Sequence, residues 1–96
     1  MTRRVIYTPR SQRDLEKIRA YITHESGSEQ PALRFLRQLL DACDSLENLP
    51  ERYPPYPFFP RWRMMPTGNY LIFFKVEAAT VSIGHIRHGA MKPFSR

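Results

Sequence analysis

The stretch GNYLIFFKVEAATVSIGHIRHGA, residues 68–90, decides the fold. Tyr70 to Glu77 is rich in β-branched and aromatic side chains with few polar interruptions, the composition of a central strand. Ala78-Ala79 turns the chain, and Thr80 to His88 reads as the next strand. Strands joined by so short a turn are antiparallel. The alternation of the second strand is imperfect. Val81, Ile83, His85 and Arg87 share one parity, while Ser82, Gly84, Ile86 and His88 share the other. Gly84 is therefore the expected place for a bulge that shifts the phase.

Working upstream, Pro66-Thr67-Gly68-Asn69 reads as a turn, and Arg61 to Met65 as a strand with one buried face. The segment PERYPPYPFFP, residues 50–60, holds five of the nine prolines and four aromatics, so neither regular helix nor central strand fits it. It is expected to be a stiff return loop pinned to the core by Tyr53, Tyr56, Phe58 and Phe59. Before it, Ala32, Phe35, Leu36, Leu39, Cys43 and Leu46 recur at spacings of three and four. That predicts a helix of ~20 residues and ~30 Å, capped by Ser28 with Pro31 in its first turn and ending at Leu49-Pro50. An earlier helix is expected from an N-cap at Ser11, with Asp14 as the capping-box acid, to a left-handed terminus at Gly27. Leu15, Ile18 and Ile22 form its apolar stripe, while Arg13, Glu16, Lys17 and Arg19 face water. Arg4 to Thr8 is a first strand, closed by Thr8-Pro9. The whole predicts an α+β fold: an N-terminal strand, an antiparallel helical hairpin, then a three-stranded antiparallel meander with the helices on one face.

The 96 residues are read as a single domain spanning 1–96, with room for one modest core. No apolar run is long enough to cross a bilayer, and the N-terminus lacks the apolar core of a secretory signal, so the expected setting is the cytoplasm. The one cysteine, Cys43, falls on the apolar face of a helix and is read as a small buried hydrophobe. The net charge of +6 is unevenly placed: residues 1–20 carry +4, residues 21–59 carry −3 and residues 60–96 carry +5. Basic ends, mostly arginine, suit an anionic partner, either nucleic acid or an acidic protein segment.

No metal motif, phosphate loop or cofactor signature is visible, and no cofactor is expected. His85 and His88 are three residues apart, which places them on opposite faces of a strand and speaks against a shared metal. The candidate binding surface is basic: Arg61, Arg63, Lys75, Arg87, His88 and Lys92, with Arg10 and Arg13 nearby. Such groups pair with carboxylates or phosphates. They also serve metal-independent RNA cleavage, in which arginines stabilise the phosphorane charge and His85 and His88, the groups that titrate near neutrality, would move protons.

Five segments carry a resemblance: TPRSQRDLEKIRAYI at 8–22, RFL at 34–36, LPERYP at 49–54, GNYLIFFKVE at 68–77 and IRHGA at 86–90. In this order and spacing they resemble the RelE/ParE superfamily of toxins from type II toxin–antitoxin modules, whose fold is a helical hairpin on an antiparallel sheet. RelE-like members cleave messenger RNA in the ribosomal A site with a set of arginine and lysine residues and a tyrosine or histidine. ParE-like members inhibit DNA gyrase instead. A RelE-like catalytic arginine typically precedes the strand-opening tyrosine by four residues, where this chain has Pro66. A second usually follows the last strand, where Ala90 and Met91 stand, and MKPFSR offers no late tyrosine, so that of the catalytic candidates Arg63 and His88 could substitute only in part. The ending RHGA resembles the ParE-like branch, in which arginine often occupies the position of Met91. The resemblance thus implies a plasmid-stabilisation type of toxin that binds gyrase without chemistry of its own. Its partner would be a cognate antitoxin that wraps it with an acidic, extended segment in a hetero-oligomer. A ribosome-dependent messenger RNA endonuclease, the one reading with direct nucleic-acid binding, and a degenerate copy that only binds its antitoxin are the alternatives.

Overall fold

A computed structural model describes residues 2–90. The elements are β1 (Arg4–Tyr7), α1 (Pro9–Ser26), α2 (Glu29–Asp44), short 3-10 turns at Ser45–Glu47 and Pro50–Arg52, β2 (Pro55–Tyr56), β3 (Phe59–Thr67), β4 (Tyr70–Val76) and β5 (Thr80–His88). The expected α+β arrangement is present, with both helices against one face of a sheet. The five strands lie in the order β1-β5-β4-β3-β2. The meander β3-β4-β5 is antiparallel as expected, but β1 joins β5 in parallel, with Val5 opposite Val81 and Tyr7 opposite Ile83. The sheet is therefore mixed: β1 and β5 are far apart in sequence, so no tight turn obliges them to be antiparallel.

The first helix begins earlier than its sequence implies. Thr8 is the N-cap, its Oγ1 accepting from the Ser11 N–H at 3.2 Å, and Pro9 occupies the first turn, where no N–H is needed. Ser11 is thus inside the helix and buried, donating its hydroxyl to the Thr8 carbonyl at 2.9 Å. Asp14 is not a capping-box acid; it is buried and points to the sheet. Gly27 ends the helix in the left-handed region at φ 74°, with its N–H on the Thr23 carbonyl.

The second helix is capped by Ser28 as expected but stops at Asp44, shorter than the periodicity suggests. Leu46 is still buried, carried by the 3-10 turn. Leu49 precedes Pro50, which disfavours helical backbone at that residue, and it takes a left-handed conformation at φ 49° and ψ 51°. Ile18, Leu39, Cys43 and Leu46 meet Met65, Ile72, Phe74, Val81, Ile83 and Ile86 in the core. Burial pushes the Cys43 thiol up to about 12, which suits an inert hydrophobe.

Two irregularities place the site. Phe73 pairs with His85 while Phe74 pairs with Ile83, so Gly84 is an extra residue in β5. This bulge is why Val81 and Ile83 on one parity and Ile86 on the other all face the helices. Secondly, β3 is longer than Arg61 to Met65 and includes Pro60 and Pro66. Beyond Arg63 it has no β2 partner, and an open edge tolerates a residue without an N–H. The tight turn after Thr67 needs Gly68 at φ 57°.

The proline-rich segment folds around the β3 edge. Tyr53 packs edge-on against Phe74 on the helix side, with centroids 6.1 Å apart. Tyr56 packs edge-on against Phe73 on the far side at 5.0 Å, and Phe58 follows it at 5.5 Å. The sheet therefore carries a second, aromatic layer on the face without helices, and Phe73 is only 1% exposed.

Candidate functional site

The basic candidates do not form one patch. Strand register puts Arg63, opposite Phe74, and His88, opposite Tyr70, on the helix side of the sheet. Lys75, opposite Ser82, and Arg87, opposite Leu71, lie on the far side. Arg63 is spent on structure: one guanidinium nitrogen donates to the Tyr53 carbonyl at 2.5 Å and to that of Glu51 at 3.4 Å. His88 packs edge-on against the Tyr70 ring at 5.1 Å, and its Nδ1 accepts from the Ala90 N–H at 3.0 Å. Arg61 is exposed. Lys75 holds its ammonium 4.5 Å over the Trp62 ring. Lys92 and Met91 lie outside the described residues. His85 and His88 take opposite faces, as their spacing implies, because the bulge precedes both.

A different constellation assembles where α1 starts. Thr8 stitches the helix to the bulge, its N–H on the Ile83 carbonyl at 3.1 Å and its hydroxyl on the same oxygen at 2.8 Å. One and a half turns along, Asp14 takes up the N–H of Ile86 at 3.0 Å. β1 has ended by then, so the carboxylate continues the hydrogen bonding of a strand edge that has lost its neighbour. The same Oδ2 lies 2.6 Å from Nδ1 of His85. Arg10, one turn before Asp14, reaches Nε2 of His85 at 3.3 Å.

This geometry settles the imidazole's state. A guanidinium only donates, so Nε2 must be an acceptor and the proton sits on Nδ1, donated to Asp14. Burial holds His85 below the usual histidine range; Asp14 pulls the other way, while Arg10 and Arg87 reinforce the lowering. A neutral imidazole with its free nitrogen already engaged is an orienting group rather than a poised base.

Beside it lies a groove of about 220 Å³ lined by Arg10, Phe59, Trp62, Phe73, Gly84 and His85. Trp62 crosses the sheet to lie on the bulge, where a Cβ at Gly84 would meet its ring at 2.1 Å. The groove thus has aromatic walls and a cationic rim. Among its residues only Arg10 and His85 stand among the sequence candidates for chemistry. Asp14 left a signal that went unread: it sits four residues before Ile18, on the buried stripe, where a carboxylate must have a partner. Trp62 and Phe73 carry no such signal, since their meeting depends on strand register.

Comparison with known proteins agrees with this fold. Over residues 5–93 the sequence matches the family described as the ParE toxin of type II toxin–antitoxin system, parDE. No curated protein matches at a significant level. Among solved structures, a chain of the chromosomal ParDE toxin–antitoxin system from P. aeruginosa is similar, with 17% identity, 91% of this chain and 96% of that one covered, and a TM-score of 0.80. A chain of the RelBE2 toxin–antitoxin complex from Mycobacterium tuberculosis gives 20% identity, 92% and 99% coverage and a TM-score of 0.69. YafQ from E. coli gives 15%, 92% and 94%, and 0.50. At such identities the structures speak for the fold, while the family match spans nearly the whole sequence. This chain belongs to the ParE toxin family of type II toxin–antitoxin systems, within the RelE/ParE superfamily.

Proposed function

We propose that this toxin inhibits DNA gyrase by binding it in the cytoplasm and is neutralised by a cognate antitoxin with an acidic segment. The observation that carries the reading is Pro66. It occupies the place of a catalytic arginine in the RelE-like pattern and lies opposite Leu71 in the β3-β4 ladder. An apolar ring there can neither donate to a phosphate nor stabilise charge that develops on it. Two further facts support binding over chemistry. The guanidinium of Arg63 is committed to two backbone carbonyls, and the neutral His85 is held between Asp14 and Arg10. For the antitoxin, α2 leaves Leu33 and Leu40 exposed, with the exposed Arg34 and Arg37 near them in sequence. Apolar anchors among cations suit an amphipathic acidic segment.

The test is a supercoiling assay with purified gyrase, with and without this protein. Loss of supercoiling at stoichiometric toxin, and filamentation with DNA damage on induction in cells, are the expected outcomes. Rapid translation arrest with cleaved messages and untouched supercoiling would overturn the reading in favour of a ribosome-dependent endonuclease.

A further inference from the structure

Among the described residues, Leu49 is the one residue other than glycine with a positive φ, and at 76% it is also the most exposed large apolar side chain. Each feature is unfavourable alone, and here they coincide. So exposed a side chain gains little from the fold, and asparagine would suit the backbone better. The turn is nonetheless firmly held. The Leu49 carbonyl accepts the Arg52 N–H at 3.2 Å and the Arg52 guanidinium Nη1 at 3.1 Å, and the same Nη1 donates to the Asn48 carbonyl at 2.7 Å. That guanidinium in turn lies 4.9 Å over the Tyr53 ring, and Pro50 behind the turn is buried. A strained backbone fastened around an exposed apolar side chain is the construction of a preorganised anchor, one whose position is fixed before a partner arrives. Leu33 and Leu40 are exposed too, but on ordinary helical backbone that needs no such clamp.

The surroundings of this anchor are acidic in a basic protein. Residues 38–51 carry four carboxylates, Asp41, Asp44, Glu47 and Glu51, and no lysine or arginine, against a net +6 for the whole chain. All four are exposed. Two neighbouring cations are already engaged, Arg3 by Glu51 at 3.6 Å and Arg52 by the carbonyls and the Tyr53 ring. A partner that fits therefore offers an apolar socket with lysine or arginine at its edge. An acidic antitoxin segment is the wrong occupant, since it meets like charge here and opposite charge at Arg34 and Arg37 on α2. An enzyme that holds DNA carries cationic surface by necessity. We infer that Leu49 is the anchor with which this toxin enters a cation-rimmed apolar socket on gyrase, an assignment that rests on the gyrase reading. Arg52 is a positioning residue: it fixes the turn and does not enter the socket.

The test is the affinity of purified gyrase for the full chain, measured by biolayer interferometry beside the supercoiling assay. Leu49→Asn keeps the left-handed turn and removes the apolar anchor. It should weaken binding at least about tenfold, with an unaltered circular dichroism spectrum and no loss of thermal midpoint. Leu49→Met, which restores an apolar side chain, should bind within about threefold of the parent. Glu47→Lys should weaken binding, most of all at low salt. Glu25→Lys should not, because it lies at the far end of the helical hairpin, roughly 24 Å away along the 16 residues of α2. If the parent inhibits supercoiling and a folded Leu49→Asn inhibits it equally, this inference alone is overturned. It is also overturned if Leu49→Asn still binds gyrase but escapes the cognate antitoxin, since the anchor then belongs to the antitoxin. Should Leu49→Asn fail to fold, the two glutamate variants decide, and equal affinities for gyrase overturn the inference. A parent protein that neither binds gyrase nor slows supercoiling overturns the gyrase reading itself, so the two failures are told apart.

Discussion

Asp14 on α1 binds His85 on β5 through one oxygen, Oδ2, which accepts the imidazole Nδ1–H at 2.6 Å and the neighbouring Ile86 N–H at 3.0 Å. The two residues are 71 apart in sequence, and this one atom ties the first turns of the helical layer to the sheet just past the bulge. Asp14→Ala should cost about 2–3 kcal/mol, because it leaves a buried backbone N–H and a half-buried imidazole without their acceptor. Asp14→Asn should cost less. Its amide oxygen in the place of Oδ2 can still accept both N–H groups, while its NH2 replaces Oδ1, 4.0 Å from the Arg10 guanidinium, and loses the negative charge there. Urea unfolding with an unchanged m value checks both. A loss under about 0.5 kcal/mol for the alanine variant would remove the pair from the stability argument.

The same pair gives a pH dependence of known sign. Burial lowers the folded-state value of His85 below the 6.5 of a free histidine. The unfolded chain then binds more protons than the folded one between those two values, so stability rises with pH across that window. The contribution is fully present above about pH 6.5 and is lost as pH falls toward the folded-state value. Unfolding midpoints measured from pH 5 to 8 should show this acid-side loss, and His85→Gln should flatten it. A slope of the opposite sign would mean that His85 is a charged partner of Asp14.

Gly84 and Trp62 are coupled by contact. A methyl group at Gly84 would lie 2.1 Å from the indole ring, so Gly84→Ala must displace the ring or the strand. The expected cost is about 2–3 kcal/mol, with a shift in tryptophan emission as the ring leaves its bed. In a Trp62→Ala background the same change should cost under about 1 kcal/mol, because the obstruction is gone. Additive losses in the double-mutant cycle would show that the strain lies in the bulge backbone and not in the ring.

These residues mark how far the sequence could be read. The elements were legible because each writes a local signal: the three-and-four spacing of Leu36, Leu39 and Cys43, the serine and glycine at helix ends, and the broken parity at Gly84. The helix start was misplaced by three residues because Ser11 and Thr8 are both good caps, and only the position of Pro9 in the first turn favours Thr8. The parallel place of β1 was not legible, since nothing local to Arg4–Tyr7 says which strand it will join. The groove was the least legible part. Arg10, Trp62, Phe73 and His85 converge only through register, bulge and helix entry together. The basic residues, by contrast, could be counted in advance but not assigned to faces, and the sheet divides them.

Leu49 offers a gain in stability. It is 76% exposed and held in the left-handed region, where its Cβ crowds the carbonyl at a cost of about 1–2 kcal/mol. Asn tolerates that region, so Leu49→Asn should raise stability by about 0.5–1 kcal/mol, seen as a higher midpoint of thermal unfolding. Leu49→Ile, β-branched at a positive φ, should lower it. If the asparagine variant is less stable, the exposed leucine has an apolar contact that outweighs its backbone cost. If it is more stable but fails to bind the antitoxin, the strain is kept for a partner that uses the side chain.

Arg63 separates structure from function most directly. Its guanidinium bridges the carbonyls of Glu51 and Tyr53, fastening the proline-rich segment to β3 just where Tyr53 meets Phe74. Removing it takes the guanidinium donor from both carbonyls, so Arg63→Ala should cost about 1–2 kcal/mol and speed proteolysis within residues 50–60. Arg63→Lys should recover part of this, because an ammonium can reach one carbonyl but lacks the guanidinium's fork. If Arg63 is purely structural, gyrase inhibition by Arg63→Ala will follow its folded fraction and return fully at low temperature. A variant that is folded by circular dichroism yet inert toward gyrase would instead place Arg63 on the target-binding surface.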